Sequence, residues 1–413
     1  MRVLIATSGT RGDVVPFLGV GQRLQAAGHE VTIGVHDSHA GLVTAAGLGH
    51  RSIGGDMEAL LDDEQRTGGR GATPRGVSQS VRLARQFLRE LGEGLVDAAG
   101  TGTDVLLLAS STAPLGWHVA QALDVPSAGL YLQPLEPTRE FSPIWLTPRP
   151  FGATGNLALG HAASVVIDAA TSAAVRELRD RLGLPRMSIR EVRRVQAEDR
   201  WPILHGISPS IVPRPADWRD GLDVVGYWFS PPEPAWTPPA DLVEFLDAGP
   251  PPVLVTLGSM ATGRIDRLVR HAVVALRRAG VRGILQGVDA LPDDGEDIIT
   301  AGVVPHEWLL PRVAAVVHHA GAGTTAAALR AGVPTVPVPV LSDQPFWSAR
   351  AVSLGVAPGV VPLRRMCTDR LTEAIHTVTT DPRYRRRATA FADRVRRDDG
   401  AAPVLDLVDA LAA

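Results

Sequence analysis

Short runs of aliphatic and β-branched residues alternate with helical patterns along most of this chain. One series starts with a strand at 3–7 and a helix at about 16–27, whose first-turn proline and following glycine are typical start and stop signals. A second series starts with a strand at 253–257 and reaches another strand at 313–318. Such alternation is typical of parallel sheets covered by helices, so the sequence predicts an α/β protein with two doubly wound halves.

Proline-rich text separates the two series. A helix or a central strand cannot absorb the stretches SPPEPAWTPP and GPPP, because proline lacks a backbone N–H. A length of 413 residues also favours more than one hydrophobic core. The predicted organisation is an N-terminal domain at 1–215, a linker at 216–252, a C-terminal domain at 253–385 and final helices at 386–413 that pack back on the N-terminal domain.

The composition narrows the kinds of partner. A net charge of −3 gives no electrostatic basis for binding nucleic acid or an anionic membrane. The single cysteine, Cys367, cannot form an internal disulfide or a cysteine zinc site, which suits a reducing cytoplasm. We expect no signal peptide and no apolar stretch of membrane-spanning length, and hence a cytoplasmic protein without integral membrane contact. The sequence does not distinguish a monomer from a homodimer.

The most informative segment lies at 303–347. In it a predicted strand ends in two histidines, a glycine-rich turn follows, and a helix begins. The free N–H groups and the dipole of a helix N-terminus form a site for a diphosphate. Four residues are placed to bind such an anion through the backbone, a hydroxyl or an imidazole: His319, Gly321, Gly323 and Thr324.

The same turn permits a second interpretation. The letters GAGTTA match the dinucleotide-binding pattern G-x-G-x-x-A, and Asp343 lies at about the distance expected of an acid that binds ribose. On the turn alone, an NAD(P)-dependent oxidoreductase is therefore an alternative.

The wider segment resembles the nucleotide-sugar glycosyltransferases of the GT-B type, in particular the sterol-like and bacterial antibiotic branches. The motifs HHAGAGTT, AGVPTVPVP and DQPFW follow one another as in that family, and the N-terminal GTRGDVVPFLGVGQRLQAAGHEV is similar to its opening loop and helix. The resemblance implies two Rossmann-like domains that face each other across a cleft. It also implies an inverting transfer of sugar from a UDP- or dTDP-sugar to a hydroxyl of an apolar molecule, such as a macrolide, polyketide, glycopeptide or sterol-like aglycone.

The resemblance assigns roles in donor binding. His319 would contact the β-phosphate and stabilise the leaving diphosphate, while Asp343 and Gln344 would hold hydroxyls of the sugar. The remaining contacts would be Val303 and Val304 to the nucleobase and Gly258 and Ser259 as a second phosphate contact. Plant relatives carry a ribose-binding glutamate where this chain has Ala327, so a dTDP-sugar is as plausible as a UDP-sugar.

Asp13 is the predicted catalytic base. Inverting transfer needs a group that removes the acceptor hydroxyl proton, and a carboxylate in a dry site suits that task. In sterol-like and glycopeptide-type relatives the aspartate of the matching GTRGD loop is the proposed base. The alternative is that Asp13 only caps the following helix. If it does, His36 and His118 are the next candidates.

The remaining expectations concern metals and the acceptor. No Asp-x-Asp pair with a divalent-cation role is found, so no metal and no other cofactor is expected. Trp117, Trp145 and Trp201 are candidates for an apolar acceptor pocket, because aromatic rings supply broad contact area. A catalytically silent, glycosyltransferase-like auxiliary protein is the last alternative.

Overall fold

The computed structural model describes residues 1–56, 74–230, 236–256, 265–288, 296–340 and 342–412, without the side chains of 74–81, 265–267 and 412. The chain divides into two compact units. Unit 1 comprises Met1–Thr138, Leu157–Pro231 and Asp399–Ala413, and unit 2 comprises Arg139–Asn156 and Pro232–Asp398.

Unit 1 is built on a seven-stranded parallel sheet with the order β3-β2-β1-β4-β5-β6-β7. The strands are β1 (Arg2–Ala6), β2 (Glu30–Val35), β3 (Gly49–Ser52), β4 (Val105–Ala109), β5 (Ser127–Tyr131), β6 (Ile203–His205) and β7 (Leu222–Val224). Its helices are α1 (Arg11–Ala26), α2 (Ala40–Ala45), α3 (Pro74–Gly100), α4 (Ala113–Leu123), α5 (Gly152–Arg181) and α6 (Ile189–Glu198). Of α5, the part from Leu157 onward belongs to this unit.

Unit 2 is built on a five-stranded sheet with the order β10-β9-β8-β11-β12, also parallel. The strands are β8 (Val253–Thr256), β9 (Gly283–Gln286), β10 (Ile298–Ala301), β11 (Ala315–His318) and β12 (Thr335–Pro337). Its helices are α7 (Ala240–Asp247), α8 (Ile265–Arg278), α9 (His306–Leu309), α10 (Ala322–Ala331), α11 (Gln344–Ser353), α12 (Thr368–Thr380) and α13 (Pro382–Val395). These two sheets confirm the predicted fold class of two Rossmann-like domains.

The last helix, α14 (Ala402–Ala412), belongs to unit 1. Val404 and Val408 are fully buried in the same hydrophobic cluster as the strands of that sheet. The indole N–H of Trp228 donates to the Gly400 carbonyl at 2.8 Å, which fixes the chain just before the helix. The end of the chain is thus held by apolar burial and by a buried hydrogen bond.

The limits of the units differ from the predicted domain limits in three places. Unit 1 extends to Pro231, because β7 adds to its sheet and Trp218 is buried beside it. The return to unit 1 begins at Asp399 rather than at residue 386, since Arg385 of α13 donates to backbone carbonyls of unit 2, among them that of Val313 at 2.8 Å. Arg139–Asn156 groups with unit 2, although the chain on both sides of it belongs to unit 1.

Helix α5 corrects the expectation that no segment is long and apolar enough to cross a membrane. Within the described residues this one 30-residue helix meets that test of length and composition. The helix also carries Asp168, whose carboxylate accepts two hydrogen bonds from Arg193 of α6 at 2.7 and 2.8 Å. Its Val175 and Leu178 are buried. The helix is therefore anchored in unit 1 by both polar and apolar contacts.

Candidate functional site

The predicted phosphate-binding turn lies between β11 and α10 in unit 2. Ala320 takes a left-handed conformation with φ of +64°, and Gly321 is the N-cap of α10. The first bond of the helix runs from the Thr325 N–H to the Gly321 carbonyl at 3.0 Å. The N–H groups of 322–324 come before it and have no acceptor in the part of the chain that the structure describes. They can donate to an anion at the helix N-terminus.

The two glycines of this turn serve different purposes. A Cβ on Gly321 would overlap the imidazole of His319, so glycine at 321 leaves the space that this ring occupies. A Cβ on Gly323 would meet nothing within 4 Å, and this residue is exposed. Thr324 is buried behind it. The turn therefore has an open side at Gly323 and a closed side at Gly321.

His319 is buried and uncharged at neutral pH. Burial, with a smaller contribution from His306, lowers the pKa of His319 to about 4. Its Nδ1 atom is buried and has no hydrogen-bond partner among the described residues. A neutral imidazole still donates one hydrogen bond, so His319 can bind an anion without carrying a charge beforehand. A buried nitrogen without a hydrogen-bond partner lowers the stability of the fold. Such an atom is typical of a site where a ligand supplies the missing partner.

His318, for which no role was predicted, stabilises the turn through a hydrogen bond. Its Nδ1 accepts from the Ala320 N–H at 3.2 Å, which leaves the proton on Nε2. Burial lowers the pKa of His318 to about 3. His318 matters because its ring accepts this hydrogen bond from Ala320 in the left-handed conformation. The sequence does not reveal that conformation.

Asp343 and Gln344 lie at the N-terminus of α11. The indole N–H of Trp347 donates to the Asp343 carboxylate at 2.8 Å. Burial raises the pKa of Asp343, and this hydrogen bond acts in the opposite direction. The side-chain oxygen of Gln344 accepts from the Val340 N–H at 2.7 Å. Both side chains are thus fixed by their own fold before any ligand binds.

The predicted nucleobase contacts differ in exposure. Val303 is 80% exposed, whereas Val304 is buried and its carbonyl accepts from the Gln286 side chain at 3.2 Å. Trp308 packs edge-on against Trp236, with ring centroids 5.3 Å apart, and so contributes to the core. Gly258 and Ser259 lie outside the described residues.

Asp13 lies in the first turn of α1 in unit 1. The helix begins at Arg11 rather than near Pro16, because Thr10 and Asp13 form a capping box. The Thr10 N–H donates to the Asp13 carboxylate at 2.9 Å. Gly9 takes a φ of +151°, and a Cβ there would overlap that carboxylate. Asp13 therefore caps the helix, and its position is also fixed at the carboxyl end of β1, where ligands bind in open parallel sheets.

The alternative bases are placed differently. His118 is buried, and its Nδ1 lies 2.8 Å from Nη1 of the buried Arg179. Because a guanidinium only donates, this nitrogen of His118 must accept. Burial lowers the pKa of His118 to about 4. His36 caps a short 3₁₀ helix through its Nδ1, which accepts from the Ser38 N–H at 3.3 Å.

The three tryptophans proposed for an acceptor pocket do not share one environment. Trp117 and Trp201 are buried in unit 1, and the indole N–H of Trp201 donates to the Ser127 hydroxyl at 3.1 Å. Trp145 lies in the segment that belongs to unit 2, which corrects its assignment to the N-terminal domain. Trp117 contacts His118 edge-on, with ring centroids 5.0 Å apart. The structure therefore does not bring Trp117 and Trp145 into one unit.

No group of three or more histidine, cysteine, aspartate or glutamate side chains that could hold a metal ion occurs within the described ranges. Asp62 and Asp63, like Asp293 and Asp294, lie outside them.

Comparisons with known proteins agree with this architecture. Residues 3–138 match the glycosyltransferase family 28 N-terminal domain, and residues 267–409 match the erythromycin biosynthesis protein CIII-like C-terminal domain. The O-mycaminosyltylonolide 6-deoxyallosyltransferase of Streptomyces fradiae is 37% identical over 411 residues, which cover 97% of this chain and 95% of that protein. The sterol 3-beta-glucosyltransferase UGT80A2 of Arabidopsis thaliana is 32% identical, and the match covers 97% of this chain and 64% of that protein.

Solved structures agree in fold. The kitacinnamycin glycotransferase superposes with a TM-score of 0.74 at 20% identity, covering 99% of this chain and 98% of that chain. The glycosyltransferase VinC in complex with DTDP superposes with a TM-score of 0.67 at 20% identity, covering 100% of this chain and 99% of that chain. The two parallel sheets thus have the fold of the GT-B glycosyltransferases.

The chain belongs to the glycosyltransferase family that contains the antibiotic and sterol glycosyltransferases. The resemblance seen in the sequence is thereby confirmed, and the oxidoreductase alternative loses its basis. Asp343 also lies at the start of α11 and not at the end of β12, where a ribose-binding acid of a dinucleotide fold is expected.

Proposed function

We propose that this protein transfers a sugar from a dTDP- or UDP-sugar to a hydroxyl of an apolar small molecule, with inversion at the anomeric carbon and without a metal ion. The observation that carries the proposal is His319, a buried, neutral imidazole with an unpartnered Nδ1 beside the free N–H groups of α10. These donors suit a diphosphate, which needs several hydrogen bonds and a positive potential.

In the proposed reaction, the acceptor oxygen bonds to the anomeric carbon while the bond from that carbon to the diphosphate breaks. The acceptor proton passes to the Asp13 carboxylate, and the electron pair of the broken bond leaves with the nucleoside diphosphate. A single displacement from the opposite face inverts the anomeric centre. The N–H groups of α10 and His319 stabilise the negative charge that develops on the leaving group.

Asp13 suits the role of the base because its orientation is fixed. The hydrogen bond from the Thr10 N–H and the close contact with Gly9 hold its carboxylate in one position. The carbonyl of Gly9 in turn lies 3.2 Å from Nε2 of His39, which supports the loop from the other side. A general base must lie within hydrogen-bond reach of the proton it removes, and a fixed side chain meets that condition more often than a mobile one.

For the donor we favour a thymidine diphosphate sugar. Ala327 occupies the position of the ribose-binding glutamate of plant relatives, so a 2′-hydroxyl gains no carboxylate partner here. The Streptomyces relative is named for transfer of a 6-deoxyallosyl group, and VinC was crystallised with dTDP. Val303 offers an exposed apolar side chain to the base. Asp343 and Gln344 would hold hydroxyls of the sugar.

The test is a transfer assay with a panel of dTDP- and UDP-sugars in excess chelator, using macrolide and sterol acceptors. Mass spectrometry detects the glycoside, and NMR of the anomeric proton establishes the stereochemistry. We expect a glycoside with inverted configuration and no gain from added Mg²⁺ or Mn²⁺. Binding of nucleotide without any transfer would instead indicate the catalytically silent auxiliary protein.

A further inference from the structure

Ala320 takes a backbone conformation that alanine rarely adopts. Its φ of +64° lies in the left-handed region, where the Cβ atom crowds the following carbonyl group. Residues in this region are common where a helix ends, as at Asp124 after α4. Ala320 instead lies between a strand and the start of a helix. Strain at such a place persists only where the surrounding structure enforces it.

The ring of His318 provides the contact that favours this conformation. Its Nδ1 accepts from the Ala320 N–H at 3.2 Å. The main chain of His318 is fixed within the sheet, because its carbonyl accepts from the Val338 N–H at 2.7 Å and the residue pairs with Thr256 of β8. Only 1% of His318 is exposed, so its ring is enclosed by the fold. The hydrogen bond therefore directs the Ala320 N–H toward a fixed atom.

The second nitrogen of this ring does not explain why a histidine lies there. Nε2 carries the proton, because Nδ1 accepts, and this buried N–H has no partner in the part of the chain that the structure describes. A buried donor without an acceptor lowers the stability of the fold, and an apolar side chain would avoid that cost. The role of His318 thus lies in the hydrogen bond that its Nδ1 accepts.

Ala320 joins the two residues that define the phosphate-binding turn. The ring of His319 occupies the space that a Cβ on Gly321 would need. Gly321 in turn begins α10, since its carbonyl accepts from the Thr325 N–H at 3.0 Å. A change of Ala320 to the right-handed or extended region would redirect the chain between His319 and Gly321. The imidazole of His319 would then lose its place beside the first N–H groups of α10.

His318 affects His319 through the backbone. The centroids of the two rings are 6.4 Å apart and their planes are nearly perpendicular, at 86°. No hydrogen bond between the two rings occurs in the described part of the chain. The connection between them is the residue that follows, whose N–H is bound by His318.

We propose that His318 is a positioning residue for the donor diphosphate: its Nδ1 keeps Ala320 left-handed, and this conformation places His319 beside the free N–H groups of α10. The inference rests on the proposed function, because it takes a nucleoside diphosphate as the ligand of this turn. His318 itself is buried and is assigned no contact with that ligand. Because it acts through Ala320, its importance should disappear when residue 320 adopts the left-handed conformation unaided.

The experiment first removes the acceptor nitrogen and then removes the strain, and calorimetry measures the affinity for dTDP. His318→Leu should weaken binding about five- to thirty-fold, because the left-handed conformation is then populated only in part. Adding Ala320→Gly to this variant should restore most of the affinity, since glycine adopts the left-handed region without a steric cost. His318→Asn should also retain most of it, because its side-chain oxygen can replace Nδ1 as the acceptor.

Two further measurements separate positioning from a general effect on the fold. Hydrogen exchange of the Ala320 N–H, followed by NMR without ligand, should be faster in His318→Leu. It should stay fast after Ala320→Gly is added, although the affinity returns. The melting temperature should change little, because His318→Leu removes both a hydrogen bond and an unpartnered N–H. Asp124→Gly, which relieves a left-handed residue of unit 1, is the matched control and should not restore binding in His318→Leu.

Unchanged dTDP affinity in His318→Leu would overturn the inference. A loss of affinity that Ala320→Gly does not restore, or that Asp124→Gly restores equally well, would also overturn it and show that His318 only supports the core. If the wild-type protein bound neither dTDP nor UDP, the proposed function would fall and the inference with it. If the affinities change as expected but no variant transfers sugar, the proposed reaction is refuted and the positioning role of His318 stands.

Discussion

Replacing His319 by glutamine separates a catalytic role from a structural one. Glutamine keeps a side-chain N–H and much of the volume, but it cannot take up a proton as charge grows on the leaving diphosphate. We expect turnover to fall because a donor is misplaced and cannot become charged in the transition state. The fold should persist, because Nδ1 of His319 has no hydrogen-bond partner to lose among the described residues.

The magnitudes follow from the geometry and from the pKa. Loss of one donor to a developing negative charge typically lowers kcat by about 10²–10³, or roughly 2.7–4 kcal/mol. The variant should lose less stability than the wild-type protein when the pH is lowered, because it has no buried imidazole at position 319 to protonate. The pKa of His319 is about 4 in the folded protein. In the unfolded chain it is about 6.5. The unfolded state therefore binds more protons as the pH falls through this window, and the wild-type protein loses about 2 kcal/mol from this residue by pH 5.

The measurements are steady-state transfer kinetics at neutral pH and urea unfolding at pH 7 and pH 5. A change of the exposed His376 to glutamine is the matched control and should alter neither result. The reasoning is refuted if His319→Gln retains normal turnover, or if it unfolds more readily than the wild-type protein at both pH values. The second result would mean that the imidazole mainly supports the turn.

Three further predictions test the two units. Asp13→Asn should lower transfer by about two to four orders of magnitude while nucleotide affinity stays constant, because the amide still caps α1 but cannot accept the proton; near-normal transfer would show that Asp13 is only a cap. Gly321→Ala should displace His319 and weaken the binding of dTDP, measured by calorimetry. Gly323→Ala should act only on binding and leave the melting temperature unchanged. Equal melting temperatures and equal affinities in the two variants would contradict the assignment of an open side at Gly323 and a closed side at Gly321. Arg179→Met should destabilise the protein by about 3 kcal/mol in urea unfolding, because it leaves the acceptor nitrogen of the buried His118 without its donor, and a loss below about 1 kcal/mol would contradict this.

The sequence contained much of the fold because hydrophobic periodicity is local. The alternation of strands and helices and the turn after β11 both follow from patterns among neighbouring residues. The predicted start of α1 near Pro16 is wrong, because the capping box of Thr10 and Asp13 begins the helix at Arg11. The addition of β7 to the first sheet was also missed, because a three-residue strand has no usable periodicity.

The site could be predicted only in part, for a different reason. The order of the motifs identified His319 and Asp343 as site residues. The burial of a side chain, its tautomer and its hydrogen-bond partners depend instead on residues that are distant in the chain. The engagement of His118 by Arg179 joins residues 61 positions apart. Tyr131 and His205 come together only through the pairing of β5 with β6. The spacing of residues in a sequence cannot show that a buried polar atom lacks a hydrogen-bond partner in the fold.

The segment Arg139–Asn156 has a consequence for recombining such enzymes. It is encoded within the first half of the chain, yet its Phe141 packs against Phe346 of α11 with ring centroids 5.5 Å apart. Asn156 closes the segment by donating to the Arg139 carbonyl at 3.1 Å and accepting from the Phe151 N–H at 2.9 Å. A chimera that exchanges halves at a single junction near Pro231 would separate Phe141 from its native neighbour. Shuffling that preserves this contact needs two additional crossovers, so that the short insert is inherited together with the rest of unit 2.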